Sequence, residues 1–597
     1  VLLYLAFLGI VTLLVLPVGE YLARVFSGRR TWPDRVLVPT ERLIYRLAGI
    51  DVHQDMTWSE YLLAFVRFSV AVAVVIFAIL LLQPHLPWFD PEHMTTPMTP
   101  DLALNTAISF STTTTWQAYG GETTLGYLSQ MGAITMGSFL AGAAGLAVGI
   151  AFIRGFARTR TDGLGNFWID VTRAMLWVLL PVSLVGSLFL VWQGVPANLD
   201  PYTTVTTLEG GQQTIAQGPV AVLEFIKNLG TNGGGFFNVN GAHPYANPTS
   251  LTNVIGMLAI VVLPAALTRT FGRMTGRLRE GWLLYGVMIV LFVVGLALTA
   301  AFEHGGNTAV ASVAGIETAA GTDQPGGNME GKEVRFGIAG SVLTANVTSN
   351  GATGSFNSMH DSYTPLGNAV SLTNMVLGEL TFGGLGTGLY SLVMMVLVTV
   401  FLGGLMVGRV PEYLGKKLGP VETRPVVLYM LVGPATILGL TALAVVSEAG
   451  TAGLTANTGA HGFTQILFAY ASVNANNGLT MASLNANSPF WNVTTAIAML
   501  AGRFALPALA LYVAGMFARQ SRRAPTIAVL PTASWDVRRP APERHPYRRR
   551  PELLRRLVAG ADRRVAHRKA LASPRSPAAS RSAPPAERAG GLLALWA

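Results

Sequence analysis

The chain has 597 residues, of which 51% are hydrophobic and only 12% charged, and it contains no cysteine. Disulfides, thiol catalysis and thiolate metal sites are therefore excluded, and so apolar a composition, with repeated runs of roughly 20 residues, belongs to a polytopic membrane protein. The net charge of +10 does not point to nucleic acid: from Asp536 to the end there are fifteen Lys/Arg against five Asp/Glu, which is the whole of the excess.

The first apolar run, residues 1–22, is long enough to cross a hydrocarbon core of ~30 Å at about 1.5 Å per helical residue. With no basic leader and no small-residue cleavage site, it reads as a retained span rather than a removable signal peptide. Arg24, Arg29, Arg30, Arg35, Arg42 and Arg46 follow. Such a cluster marks the cytoplasmic side and places the N-terminus outside. Span and basic loop together make up region 1–60.

Four units of one grammar come next, each an apolar span, a short helix, a loop of Gly, Asn or Thr, and a second span. Unit one (61–160) has spans at 61–82 and 125–153 around a short helix at 102–110 and the run Thr112-Thr113-Thr114-Thr115. Unit two (161–280) has spans at 174–192 and 251–268 around Gly230-Thr231-Asn232-Gly233-Gly234-Gly235. Unit three (281–423) begins with a span at 282–301 and a long polar excursion through Tyr363. Its short helix is expected at 366–381, its loop at Phe382-Gly383-Gly384-Leu385, and its second span ends near Val407. Unit four (424–525) has spans at 425–446 and 491–517, a short helix at 463–471 and the loop Asn474-Ala475-Asn476-Asn477-Gly478. The remainder, 526–597, is an Arg/Pro/Ala-rich basic tail with no apolar run long enough to cross, and it reads as disordered.

Charge asymmetry tests this layout independently. The expected inner loops carry Arg154, Arg158 and Arg160; Arg269, Arg273, Arg277 and Arg279; Arg409, Lys416, Lys417 and Arg424; then Arg519, Arg522 and Arg523. The outer ones hold only Lys227, Lys332 and Arg335. All four loops thus enter from outside.

Irregular backbone at membrane depth survives only when buried in protein or lining a watery path. Four quasi-equivalent loops entering from one side, each behind a short helix, are the parts of a cation selectivity filter: carbonyls replace the hydration shell, and each helix directs its negative C-terminal end at the cavity. Asn and Thr add side-chain oxygens. Carbonyl rings suit a monovalent cation such as potassium, whereas magnesium or calcium would call for more carboxylates. A phosphate-gripping loop is disfavoured, because no strand precedes the glycines and no Lys-Ser/Thr pair follows. No Asp-Lys-Thr-Gly phosphorylation site and no Walker A match occurs, so energy for transport must come from elsewhere.

Ionisable groups at membrane depth are costly and therefore functional candidates. Arg503, in the last span, is a gating or coupling candidate that could repel cations below the filter, whereas Glu224 and Glu379 read rather as structural ion pairs or interfacial anchors. His243 and His360 sit in outer loops without metal-ligand spacing and read as hydrogen-bond partners.

Several stretches carry a resemblance: Gly230 through Asn238, His360-Asp361-Ser362, Gly378-Glu379 with Phe382-Gly383-Gly384, Pro411 through Lys417, and Ala486 through Asn492. Over about residues 1–525 they resemble the potassium-transporting ATPase A chain family, KdpA. The resemblance implies an all-α polytopic fold of the potassium-channel-like superfamily in the bacterial plasma membrane, with potassium ion as substrate and no organic cofactor. Implied partners are a P-type ATPase catalytic subunit (KdpB-like), a small single-span subunit (KdpC-like), a short membrane peptide (KdpF-like) and membrane lipids, with no nucleic acid; this chain would be the non-catalytic subunit of the pump. The implied filter is Thr112, Thr113, Thr114 and Thr115; Thr231, Asn232, Gly233 and Gly234; Phe382, Gly383, Gly384 and Leu385; and Asn476, Asn477 and Gly478.

The chain departs from the family pattern in three ways. Thr113 and Thr115 stand where the family usually has Asn, and Asn474-Ala475 stands where Ala-Asn is expected. The family has ten spans and only nine are found, which suggests an out-of-frame reading from near Asp536; the alternative is a genuine basic tail touching anionic lipid headgroups. A self-sufficient ion-coupled transporter or channel of the same four-loop architecture stays open, since it too needs the filter.

Overall fold

The computed structural model describes residues 1–522, apart from positions 308–310, 313, 314, 316, 318, 323 and 325. The basic tail, with the frame question attached to it, lies outside the described residues. Within them, nine helices are long and apolar enough to cross a membrane.

In chain order, α1 (Leu2–Phe26) is followed by the amphipathic α2 (Asp34–Ala48). Unit one has α3 (Trp58–Leu82), the short α4 (Pro100–Ser111) and the span α5 (Tyr127–Ala157). Unit two has α6 (Phe167–Trp192), an outer hairpin β1–β2 (Thr203–Thr206 and Gln212–Ile215), the short α7 (Val220–Leu229) and α8 (Ser250–Thr275). Unit three has α9 (Leu278–His304), α10 (Gly337–Asn350), α11 (Pro365–Val376) and α12 (Thr387–Val407). A two-residue hairpin, β3–β4 (Glu412–Tyr413 and Lys416–Lys417), leads into unit four: α13 (Pro420–Val446), α14 (Gly459–Asn474) and α15 (Pro489–Arg519).

The helices α4, α7, α10 and α14 have 12, 10, 14 and 16 residues. At about 1.5 Å per residue none reaches across ~30 Å, so each stops inside the bundle. Here the structure corrects one expectation: the short helix of unit three is α10, not the segment at 366–381. That segment is α11, the first half of a second span that breaks at 377–386 and resumes as α12. The expectation failed because α10, GIAGSVLTANVTSN, follows a long polar stretch and is no more apolar than α11.

The spans differ in what they face. In α1 only 22% of the apolar window is buried, and Leu2, Leu5 and Leu13 are exposed, as suits a lipid-facing helix; in α5 the figure is 83%. Lipid tails are as apolar as leucine, so helices associate here by close packing and buried hydrogen bonds rather than by the hydrophobic effect. A glycine row along α5 provides that approach. A methyl at Gly142 would stand 3.2 Å from Gly230 Cα, one at Gly149 2.6 Å from Gly386 Cα, and one at Gly155 2.5 Å from Ala514 Cβ. Any side chain there would push the neighbouring segments away from the centre.

The basic loops assigned to one side meet on one face. Lys416 Nζ donates to the carbonyls of Gly155 (3.0 Å), Arg158 (2.6 Å) and Phe517 (2.7 Å), capping the ends of α5 and α15. Arg522 reaches Ala157 and Thr275, and Glu20 pairs with both Arg24 and Arg273. Arg154 forms an ion pair with the buried Asp170. On the opposite side two of the three outer cations prove to be internal: Lys227 pairs with Glu224 at 2.7 Å and Lys332 with Glu303 at 2.8 Å, both ammonium groups enclosed. The outer face is poorer in free positive charge than the sequence count suggests.

Candidate ion-binding site

The four short helices end on four loops that turn alike over their first two residues, and three of the four turn alike again two positions later. The first residue past each helix has negative φ: Thr112 −101°, Gly230 −77°, Gly351 −83°, Ala475 −69°. The second has positive φ: Thr113 64°, Thr231 48°, Ala352 50°, Asn476 53°. Two positions further on, Thr115, Gly233 and Gly478 are again positive, at 51°, 118° and 87°. A left-handed residue directly after a helix end swings its peptide carbonyl off the helix axis, the kind of backbone turn that a carbonyl-lined cation site uses.

The loops touch in a ring. A methyl at Gly233 would lie 2.6 Å from Gly354 Cα, one at Gly354 2.8 Å from the Gly478 carbonyl carbon, and one at Gly478 would strike Thr114 O; one at Gly234 would stand 3.2 Å from Thr115 O. Gly354 N donates to Asn232 O at 3.0 Å. The ring therefore consists of 112–115, 230–234, 351–354 and 475–478. The first, second and fourth arcs draw on segments singled out in the sequence: Thr112, Thr113, Thr114 and Thr115, then Thr231, Asn232, Gly233 and Gly234, then Asn476, Asn477 and Gly478. The third does not: the structure seats Gly351, Ala352, Thr353 and Gly354 in place of Phe382, Gly383, Gly384 and Leu385.

Two of those four residues, Gly384 and Leu385, instead line a cavity next to the ring. It has a volume of about 10 Å³, room for roughly one water-sized particle, and is also walled by Thr113, Thr231, Ala352 and Asn476, the second residue of every loop. Leu385 N donates to Thr231 Oγ1 at 2.9 Å, and a methyl on Gly384 would meet Ala352 Cβ at 3.1 Å. Phe382 has φ 50° and is buried against Phe292.

Two charged side chains border this cavity. Arg503 belongs to a π-helical turn of α15, Ala501–Ala505, a distortion often found at functional sites. Its Nη1 donates to Thr113 Oγ1 at 3.1 Å and its Nη2 to Ala141 O at 2.8 Å, and among the described residues it makes no ion pair. Glu379, with φ 59°, is buried and lines the same cavity. Glu224, by contrast, is the ion-pair partner of Lys227.

The outer histidines stand apart from the ring. His243 stacks on Phe237 at 3.7 Å and accepts a hydrogen bond from Tyr245 N; burial, helped by nearby Arg335, pushes its pKa down to about 4. His360 stacks on Tyr363 at 5.1 Å, and burial first, then Lys332, pushes its pKa to about 3. Both are neutral near pH 7.

Sequence reasoning missed Gly351 to Gly354, although Asn350-Gly351-Ala352-Thr353-Gly354 repeats the Asn/Thr/Gly signature of the other loops. It also missed the side chains that cross between loops, Gln117 and Asn240 among them, for which no local signal exists.

A family model described as the potassium-transporting ATPase A subunit, KdpA, matches residues 5–536. A potassium-transporting ATPase potassium-binding subunit of Methylorubrum extorquens is 50% identical over 524 residues, covering 88% of this chain and 90% of the relative. The protein of the same name from Rhodopseudomonas palustris is 49% identical over 524 residues, with the same coverage of both chains. The crystal structure of the potassium transporter TrkH from Vibrio parahaemolyticus aligns with 84% of this chain and 96% of that one, at 14% identity and a TM-score of 0.49.

Proposed function

The chain belongs to the potassium-transporting ATPase A subunit family, and from that premise we propose that its four-loop ring binds potassium from the outer side as the entry filter of an ATP-driven uptake complex. The observation that carries this reading is the left-handed φ shared by Thr113, Thr231, Ala352 and Asn476, one residue from each loop around one cavity. Carbonyls fixed by a packed backbone exchange for water around a weakly hydrated monovalent ion without moving, and this favours an ion that fits the ring.

Gly384, Leu385 and Arg503 border the same cavity as the second residue of every loop. A positive charge there raises the energy of a cation leaving the ring inward, by an amount that depends on how well the pocket is screened. The ring would then be a binding site rather than an open pore, and passage would await movement of Gly384 and Leu385 or of Arg503. Glu379, in the wall of the same cavity, lowers that barrier whenever it is ionised.

The chain carries no phosphoryl-transfer motif, so hydrolysis is assigned to a separate P-type ATPase subunit, with a small single-span subunit and a short membrane peptide as further partners. The test is reconstitution. Purified alone, the chain should hydrolyse no ATP with or without potassium; co-expressed with the ATPase subunit, it should confer potassium-stimulated hydrolysis. Hydrolysis by the isolated chain, free of contaminants, would defeat this division of labour.

A further inference from the structure

Each of the four seams between neighbouring loops, taken with the short helices and residues that flank them, is crossed by a side-chain amide. Gln117 Oε1 accepts from Gly235 N at 2.8 Å between the first and second. Asn477 Nδ2 donates to Thr348 O at 2.9 Å between the third and fourth, and Asn476 Nδ2 to Thr114 Oγ1 at 2.8 Å between the fourth and first. The seam between the second and third is held by Asn240, whose Nδ2 donates to both Gly234 O and Gly354 O, the latter at 3.2 Å.

Asn240 differs from the other three in lying farther along the chain from any arc and in being held by charge. It sits in a tight turn at φ 54°, a conformation asparagine tolerates. Among the described residues it alone of the four receives a charged donor: Lys227 Nζ, fully enclosed, donates to Asn240 Oδ1 at 2.6 Å. Gly241 N donates to the same oxygen at 2.8 Å. With its oxygen occupied by an ammonium, the amide cannot flip, and its NH₂ is committed to the two ring carbonyls. Charge-assisted hydrogen bonds are roughly twice as strong as neutral ones, and an amide polarised at oxygen is a better donor at nitrogen.

A bare ammonium behind a cation site would oppose binding. Glu224 Oε2, 2.7 Å from Lys227 Nζ, offsets that charge. What the pair transmits to the ring is therefore geometry more than net charge. We propose that Lys227 is a positioning residue of the filter, acting through Asn240 to fix the separation of Gly234 O and Gly354 O and hence the size of cation the ring accepts. This rests on reading the ring as the potassium filter.

The experiment uses the complete complex and measures ATP hydrolysis stimulated by potassium, rubidium or ammonium. Asn240→Ala removes the bridging amide and leaves the ion pair intact; the double variant Glu224→Gln/Lys227→Met removes both charges and strands neither. In each, the potassium concentration for half-maximal stimulation should rise about tenfold and the preference for potassium over rubidium and ammonium should narrow, while the maximal rate stays within about twofold. Gly233→Asp, in the ring itself, separates the two readings. If it alters the ion series while both brace variants keep the parent's, the positioning role is overturned and the filter stands; if it too leaves the series unchanged, the filter reading fails as well. Failure of both brace variants to assemble also overturns the proposal, since the pair would then serve folding rather than ion choice.

Discussion

Two glycine-bearing loops of unit three, 351–354 and 382–385, lie about thirty residues apart in sequence and almost touch in space, yet do different things. The first follows the 14-residue α10, whose C-terminal end delivers it to the ring, where Gly354 packs against both Gly233 and Gly478. The second interrupts a membrane-crossing helix and meets the ring through Leu385 N to Thr231 Oγ1 and Gly384 to Ala352. Both contain glycine and small residues, and both keep backbone irregular at membrane depth. What separates them is the element before each. A short helix that stops inside the bundle aims a dipole and a set of unpaired carbonyls at the centre, whereas the break between α11 and α12 brings Gly384 and Leu385 against the cavity side of the ring.

The contrast is open to direct attack, most severely in the ring. Gly354→Asp puts a side chain 2.8 Å from the Gly478 carbonyl carbon, together with a charge among the carbonyls. The potassium concentration for half-maximal uptake should rise at least about 100-fold, equivalent to about 2.7 kcal/mol of binding, with loss of discrimination against rubidium. Gly384→Ala adds only a methyl, 3.1 Å from Ala352 Cβ. Turnover should fall by about tenfold while the ratio of potassium to rubidium uptake stays as in the parent. Opposite outcomes for these two variants would exchange the roles of the two loops.

A smaller effect distinguishes the arcs from one another. At the fourth position three arcs have glycine, Gly233, Gly354 and Gly478, and the first has Thr115, a β-branched residue held at φ 51°. A left-handed conformation costs such a residue about 1–2 kcal/mol, and asparagine bears it better. Thr115→Asn should therefore stabilise the complex by about 1 kcal/mol, visible as a slightly higher thermal midpoint with unchanged ion preference. A lower midpoint would mean that the hydroxyl, which donates to Thr114 O at 2.9 Å, outweighs the backbone strain.

Apolar run length and arginine placement were enough, without any tertiary information, to give the nine spans and the common face of the basic loops, because bilayer thickness and positive-inside bias act on composition. They also singled out segments in three of the four arcs, since a Gly/Asn/Thr loop between apolar runs is a local signal. The third arc was missed although its Asn/Thr/Gly signature is in the sequence: α10 follows a long polar stretch, while 366–381, set directly before the glycines at 383 and 384, mimicked a pore helix. Nor could any pattern place Lys227. A lysine in an outer segment reads as solvated, and only the folded chain, by bringing Glu224 and Asn240 against it from one turn earlier and thirteen residues later, offsets the cost of burying its charge. Local patterning decides what crosses the membrane; which loops share an axis depends on backbone approach distances that only packing sets.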